Sequence, residues 1–201
     1  MTEQPRHEGG PDLLVVCKAN RARSPVVADL LRGYADTRDI RPRPVISSGG
    51  LEAVPGLGLL PSMKRALASR DLTVPSHTSR PFRLEEAADA RLVIAFSRAD
   101  RRAIVARSPA LVPRTYTLRE LARLVRSPHW RPEWSGSPDV AVHLHGLRPL
   151  VEPADDDTRD PADLGRWKVG RLLDELVRDV RTVAPAVLGL PERHNDAARR
   201  P

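Results

Sequence analysis

The 201-residue chain has a single cysteine, Cys17, and only 3% aromatic residues. One cysteine permits no disulfide within the chain, which agrees with a reducing compartment and leaves a thiol free to react. No apolar run approaches the ~18 to 20 residues of a membrane span, and residues 1–11 lack the apolar core of a signal peptide. We therefore expect a cytoplasmic protein that does not insert into membranes.

Lysine and arginine together number 33 against 26 aspartates and glutamates, which gives a net charge of +7. Basic chains often bind nucleic acid, but the scarcity of aromatic residues and the lack of a stacking motif argue against that class of partner. Clusters of His, Cys, Asp and Glu with metal-ligand spacing are also absent, so we expect neither a metal nor a cofactor. The charge predicts only a general preference for anionic partners.

The residues around the cysteine follow the order of a phosphate-binding loop. Residues 13–16 are a short aliphatic run that suits a buried strand of a parallel sheet, with Cys17 at its carboxyl end. From Pro25 the apolar spacing becomes helical, with Ser24 as the expected N-cap. Residues 18–23 then form a loop between a strand end and a helix N-terminus, where backbone N–H groups and the helix dipole favour an anion. A phosphate or its analogue is the expected ligand.

Each side chain of this loop has a chemical role in that interpretation. A helix N-terminus and a neighbouring cation favour the thiolate, so Cys17 is the expected nucleophile. The planar guanidinium of Arg23 matches two phosphoryl oxygens and follows the charge of the transition state. The Ser24 hydroxyl can donate to the thiolate, and the Asn20 amide can hold the loop open. The residues expected to bind the anion are Lys18, Ala19, Asn20, Arg21, Ala22 and Arg23.

A lone cysteine is more often a packed apolar residue, and it is the order of strand, loop and helix that favours a reactive one here.

Residues 16–25 resemble the opening signature of the low-molecular-weight protein tyrosine phosphatases, and the resemblance continues along the chain, much as in actinobacterial members. Ser47-Ser48-Gly49 resembles the segment whose serine supports the loop, with Ser47 as the expected counterpart. Residues 74–80 resemble the segment whose histidine bonds the loop asparagine, so His77 would orient Asn20.

The resemblance also implies a general acid. Asp160-Pro161 resembles the late Asp-Pro that supplies it in the family, and Asp157 in the same acidic run is the next candidate. The chain departs from the family at Ala19, where glycine is usual, at Ala22, where a second cysteine is common, and at Ala162, where an aromatic residue often lines the substrate site. A side chain at position 19 would carry a steric cost if that residue needed a positive φ.

The remaining pattern predicts one α/β domain over residues 12–190, with tails at 1–11 and 191–201. Alternating apolar runs indicate a doubly wound, parallel, four-stranded sheet with helices on both faces, and the resemblance implies a flavodoxin-like topology. The expected strands lie near 12–16, 44–48, 91–96 and 112–116, and the expected helices near 25–37, 59–70, 99–107, 117–126 and 164–183.

Two features of the carboxyl-terminal half are less regular. Residues 127–160 are rich in proline and predict a long irregular insertion, in which Trp130 and Trp134 either replace the missing aromatic wall or pack locally. The final helix carries an apolar stripe that includes Trp167, and we expect this stripe to lie in the core.

The primary hypothesis is a phosphomonoester hydrolase, a protein tyrosine phosphatase with a phosphocysteine intermediate. The resemblance implies a phosphotyrosine protein as partner, such as a bacterial tyrosine kinase, or a small aryl phosphate, with phosphate or sulfate able to occupy the loop. One alternative is an arsenate reductase that uses a low-molecular-weight thiol, because a single cysteine excludes forms that relay electrons through further protein cysteines. The other is a phosphate-binding module without turnover, because Ala19 and Ala162 depart from the pattern.

Overall fold

A computed structural model describes Gly10 and residues 12–189, so the predicted tails lie outside the described residues apart from Gly10. Four parallel strands form one sheet in the order β2-β1-β3-β4, which confirms the predicted doubly wound arrangement. At its centre Leu13 pairs with Ile46 on one side and with Leu92 on the other. The strands are β1 (Leu13–Cys17), β2 (Ile46–Gly50), β3 (Leu92–Ala95) and β4 (Thr115–Thr117).

Seven α-helices accompany the sheet within the described residues. They are α1 (Arg23–Thr37), α2 (Pro61–Ala68), α3 (Leu84–Asp89), α4 (Arg98–Arg107), α5 (Leu118–Arg126), α6 (Val140–Leu147) and α7 (Arg166–Leu188). Alternate β1 side chains enter two separate cores, Leu13 and Val15 on one face and Leu14 and Val16 on the other. Both faces of β1 are therefore covered, which explains its uninterrupted aliphatic sequence. No helix in the described part of the chain is long and apolar enough to cross a membrane.

The proline-rich segment 127–160 is not irregular throughout, and that prediction is wrong for α6. Val140, Leu144 and Leu147 are buried at helical spacing, a pattern that the intervening histidines and glycine obscure. Trp130 and Trp134 pack locally, with their rings edge to face and 5.7 Å between centroids. The segment therefore adds a helix and a small aromatic cluster to the core.

The final helix begins at Arg166 and extends to Leu188. Most of its predicted stripe is buried, namely Leu172, Leu173, Leu176 and Val180, whereas Val177 and Leu164 are half-buried and Leu164 precedes the helix. The Trp167 side chain is 85% exposed, so its assignment to the core is wrong. A separation of two residues rotates a side chain by about 200° around a helix, and Trp167 precedes the buried Val169 by two. Trp167 consequently lies on the opposite side of α7 from the core.

Candidate active site

The candidate site lies at the carboxyl edge of the sheet, where β1 ends at Cys17 and α1 begins at Arg23. The loop from Cys17 to Ser24 is called the phosphate loop below. It sits at the switch point of the strand order, because β2 flanks β1 on one side and β3 on the other. A Cβ on Gly50 would lie 2.8 Å from the Asn20 nitrogen, so glycine there lets the end of β2 approach the loop.

Cys17 lies at the base of the loop with its sulfur in contact with two polar groups. The Ser24 hydroxyl is 3.0 Å from Sγ, and the Asn20 backbone N–H donates to Sγ at 3.3 Å. Ser24 is not the N-cap that the sequence predicted, because α1 begins at Arg23, two residues before Pro25, with Ala22 in the cap position and no side-chain cap. The Ser24 hydroxyl instead lies between the sulfur and the Asn20 amide, with the Gly49 carbonyl oxygen 3.4 Å away.

Asn20 is fully buried, and each of its polar groups has a partner. Its side-chain amide donates to Ser24 Oγ at 2.9 Å and to Ser48 Oγ at 3.0 Å, and its Oδ1 accepts from the Arg80 backbone N–H at 3.0 Å. Its φ is +53°, in the left-handed region that asparagine tolerates better than most residues. The positive φ falls on Asn20, and Ala19 is spared the strain considered for it.

The serine that supports the loop is Ser48, and the preference for Ser47 is wrong. Successive side chains of a strand point to opposite faces, and it is Ser48 whose hydroxyl meets the Asn20 amide. His77 contacts Asn20 as expected, through the backbone: its Nε2 donates to the Asn20 carbonyl oxygen at 2.7 Å. Burial lowers the pKa of His77, and the bond to that carbonyl partly opposes the shift. The ring is therefore neutral near pH 7 with its proton on Nε2.

A cavity of about 270 Å³, called the slot below, opens above Cys17. The phosphate loop forms its floor, and no backbone N–H of Lys18, Ala19, Arg21 or Ala22 donates a hydrogen bond within the described residues. These amides are available to an anion. The walls contain no aromatic side chain and come from two other segments. One segment supplies Glu52 and Leu60, and the other supplies Asp160, Pro161 and Ala162.

Arg23 joins the phosphate loop to the predicted acid. Its Nη2 donates to Asp160 Oδ2 at 2.5 Å and its Nη1 to the Thr158 carbonyl at 2.9 Å, while its guanidinium lies over the Phe96 ring. Only 5% of the Arg23 side chain is exposed, compared with 26% for Asp160. Asp160 Oδ1 also accepts from the Ala162 N–H at 3.0 Å. The carboxyl thus lies in the slot wall, against the group expected to bind phosphate.

Residues 152–162, called the acid segment below, are attached to the domain by arginines. Arg123 donates to both carboxyl oxygens of the buried Asp156, at 2.7 and 3.2 Å. The backbone N–H of Arg98 donates to Asp157 Oδ1 at 2.7 Å, which ties Asp157 to the start of α4. Asp157 does not line the slot. Of the two candidate acids, only Asp160 has access to it.

Sequence reasoning missed several groups around Arg23, of which Asp100 is the clearest. Burial raises the pKa of the Asp100 carboxyl, with the Arg23 guanidinium opposing the shift. Asp100 is three residues after Ser97, the N-cap of α4, whose hydroxyl accepts from the Asp100 N–H at 3.0 Å. An N-cap serine directly after a buried strand is a sequence signal that places the next acidic residue at the carboxyl edge of the sheet.

Several solved structures share this fold. The YwlE arginine phosphatase from Geobacillus stearothermophilus is 23% identical, with a TM-score of 0.62 over 87% of this chain and 90% of that one. The tyrosine phosphatase AmsI from Erwinia amylovora is 16% identical, with a TM-score of 0.63 over 88% and 93% of the chains. The tyrosine phosphatase Wzb from Escherichia coli K30, solved with sulphate, is 18% identical, with a TM-score of 0.61 over 87% and 96%.

A comparison with curated protein sequences gives no match. The family model described as low molecular weight phosphotyrosine protein phosphatase matches residues 12–131, which is more than half of the chain. This span runs from β1 through α5 and holds the phosphate loop together with its supports, Ser48 and His77. The chain therefore belongs to the low molecular weight phosphotyrosine protein phosphatase family.

Proposed function

We propose that this protein hydrolyses phosphotyrosine in proteins through a phosphocysteine intermediate on Cys17. One observation carries the proposal: the buried sulfur lies at the base of a cavity of about 270 Å³, bounded by unpaired backbone amides and by a buried guanidinium that also contacts a carboxyl group. A nucleophile, an anion cradle and a proton donor thus share one slot. Its single free thiol suits the reducing cytoplasm.

In the first step the Cys17 thiolate attacks phosphorus and the bond from phosphorus to the ester oxygen breaks. The loop amides and Arg23 hold the non-bridging oxygens while charge spreads over them. Asp160, in the slot wall, gives its proton to the departing oxygen, which leaves as an alcohol or phenol. The product of this step is a phosphocysteine with Asp160 ionised.

In the second step a water molecule attacks the phosphocysteine. Asp160 takes a proton from that water, and the bond between sulfur and phosphorus breaks to release inorganic phosphate. The Ser24 hydroxyl, 3.0 Å from Sγ, stabilises the thiolate as it leaves. Each group therefore returns to its starting state.

The Arg23 guanidinium is shared between the acid and the expected anion. It donates to Asp160 Oδ2 at 2.5 Å, and its planar fork also matches two oxygens of a phosphoryl group in the loop. A substrate that takes Arg23 therefore releases the Asp160 carboxyl toward the ester oxygen.

The slot walls favour a flat side chain held by aliphatic contacts. Leu60 on one segment and Pro161 and Ala162 on another supply the apolar surface for a phenyl ring. A phosphorylated arginine is the second candidate, because the walls lack aromatic rings and include the Glu52 carboxylate. This carboxylate pairs with the exposed Lys18 ammonium at 3.4 Å and can exchange it for a guanidinium. The YwlE arginine phosphatase has the same fold, so we test phosphoarginine beside phosphotyrosine.

The test is hydrolysis of p-nitrophenyl phosphate with EDTA between about pH 4 and 8, for the wild type and Cys17→Ser. We expect turnover by the wild type and none by the variant; an active Cys17→Ser protein would refute the proposal. Matched phosphotyrosine and phosphoarginine peptides then rank the two substrates. If the wild type is inactive, arsenate-dependent consumption of a small thiol would favour the reductase, and vanadate binding alone would favour a binding module.

A further inference from the structure

A second cavity of about 700 Å³, called the side groove below, lies directly beside the slot. Lys18, Arg23 and Asp160 line both cavities, so the groove begins where the slot ends. Its other walls come from the start of α4, from the acid segment and from the first turns of α7. A peptide whose phosphorylated side chain enters the slot has this groove next to it.

The lining of the side groove holds six cations and five carboxylates, an excess of one positive charge. Most of the carboxylates already have a cation: Glu175 has Arg119 at 2.5 Å and Asp160 has Arg23 at 2.5 Å, while Asp155 and Asp157 share Arg98, each at 3.6 Å. Within the described residues three exposed cations of the groove form no ion pair, and the one unpaired carboxyl, Asp100, is half-buried. Those three cations are Arg159, Lys168 and Arg171.

An exposed aromatic residue lies on the same helix as two of these cations. Trp167, 85% exposed, is the most exposed large apolar side chain of the described residues. It precedes Arg171 by four positions, which places the two side chains on one face of α7, a turn apart. Exposed aromatic and arginine side chains together are typical of protein interfaces. The face of α7 that brings Arg171 to the groove therefore also carries an apolar side chain, one turn away from the lining.

From this arrangement we infer that the side groove binds acidic residues adjacent to the phosphorylated residue of a protein substrate. The inference rests on the proposed function, and it assigns to Arg159, Lys168 and Arg171 the selection of substrate sequence. The reaction itself stays in the slot, since none of the three lines it. A small aryl phosphate does not reach the groove cations and is indifferent to them.

The test compares two phosphotyrosine peptides of equal length that carry either glutamate or glutamine beside the phosphotyrosine. The wild type should hydrolyse the glutamate peptide with a kcat/KM about tenfold higher at low salt, since a few exposed ion pairs together contribute this much. In Lys168→Ala/Arg171→Ala the ratio should fall to about two, with hydrolysis of p-nitrophenyl phosphate unchanged. Arg178→Ala/Arg181→Ala removes the same charge from exposed positions of α7 outside the groove and should keep the wild-type ratio.

Three results would overturn the inference. The first is equal rates for both peptides with the wild type. The second is a preference that survives the groove variant, and the third is a preference lost equally in both double variants, which would indicate attraction by net charge alone. A wild type that does not hydrolyse p-nitrophenyl phosphate would instead contradict the proposed function. Failure of the inference and failure of the proposed function are therefore distinguishable.

Discussion

The phosphate loop and the acid segment meet at Arg23 but are held in different ways. The loop is held by neutral hydrogen bonds centred on the buried Asn20, which reach Ser24, Ser48, His77 and the Arg80 backbone. The acid segment has one neutral backbone bond, from the Thr158 N–H to the Phe96 carbonyl at 2.7 Å, and is otherwise held by charged contacts from arginines on other elements, several of them partly exposed. The difference indicates that the anion cradle is preformed, whereas the position of the acid depends on charge.

The same division separates two stages of the proposed reaction. Anion binding needs only the loop, which lies inside the span matched by the family model. Proton transfer needs the acid segment, which lies beyond that span and changes partners when phosphate takes Arg23. Variants in the acid segment should therefore change turnover more than anion affinity, and variants in the loop should change both.

The largest effect is expected for Asp160→Asn. Loss of the proton donor should lower kcat for p-nitrophenyl phosphate by about 10²- to 10⁴-fold, because general acid catalysis contributes on this scale. Vanadate should bind more tightly, since the Arg23 guanidinium loses its carboxylate partner. The measurements are initial rates and vanadate inhibition constants.

Asp155→Asn is the matched control, because it removes the same charge from an exposed position of the same segment. Asp155→Asn should leave kcat and the vanadate inhibition constant near the wild-type values. Weaker vanadate binding by Asp160→Asn would contradict the view that Asp160 and the anion compete for Arg23.

A smaller effect is expected for Asp156→Asn, which tests how the acid segment is anchored. Asp156 is buried and accepts two hydrogen bonds from Arg123. The substitution should lower kcat about tenfold and the free energy of unfolding by about 1–3 kcal/mol, as expected for a weakened charged hydrogen bond. Vanadate affinity, measured by inhibition, should stay within about twofold, because the cradle is separate. A large loss of vanadate affinity would show that the two regions are not independent.

The sequence predicted most of the phosphate loop because its determinants are local. Strand, loop and helix follow one another within residues 13–37, and the contacts of Cys17 with Ser24 and Asn20 span at most seven residues. The choice between Ser47 and Ser48 was wrong because it depends on which face of β2 turns toward the loop. A shift of one residue in strand register reverses that assignment.

The parts that the sequence did not predict depend on distant partners. Helix α6 was missed because its short apolar spacing lies among prolines. Its apolar face forms only where Val140, Leu144 and Leu147 pack into the main core. The pairing of Arg23 with Asp160 joins residues 137 positions apart. Among thirty arginines, no local pattern distinguishes the one that contacts the acid.

Ser48→Ala, compared with Ser47→Ala, tests the neutral hydrogen bonds that hold the phosphate loop. Removing the Ser48 hydroxyl leaves a buried N–H of Asn20 without an acceptor, which should cost about 1–3 kcal/mol in the free energy of unfolding. Ser47→Ala should change stability by less than about 0.5 kcal/mol. Denaturant unfolding measures both, and vanadate affinity should fall a few-fold in Ser48→Ala alone. Equal effects of the two substitutions would contradict the assigned support.

The smallest effect concerns His77 and the dependence of stability on pH. Its pKa is lowered in the folded protein, mainly by burial, so protonation favours the unfolded chain. The unfolded state then binds more protons as the pH falls through about 6.5, and the free energy of unfolding should decrease over this range. His77→Gln can keep a donor for the Asn20 carbonyl and removes the titration, so its melting temperature should fall less than that of the wild type between about pH 7.5 and 5.5. His129→Gln, at an exposed position, is the control and should keep the wild-type slope. If the melting temperatures of all three proteins fell equally with pH, the support of the loop by His77 would be insensitive to pH. Charge would then act on this site only through the acid segment.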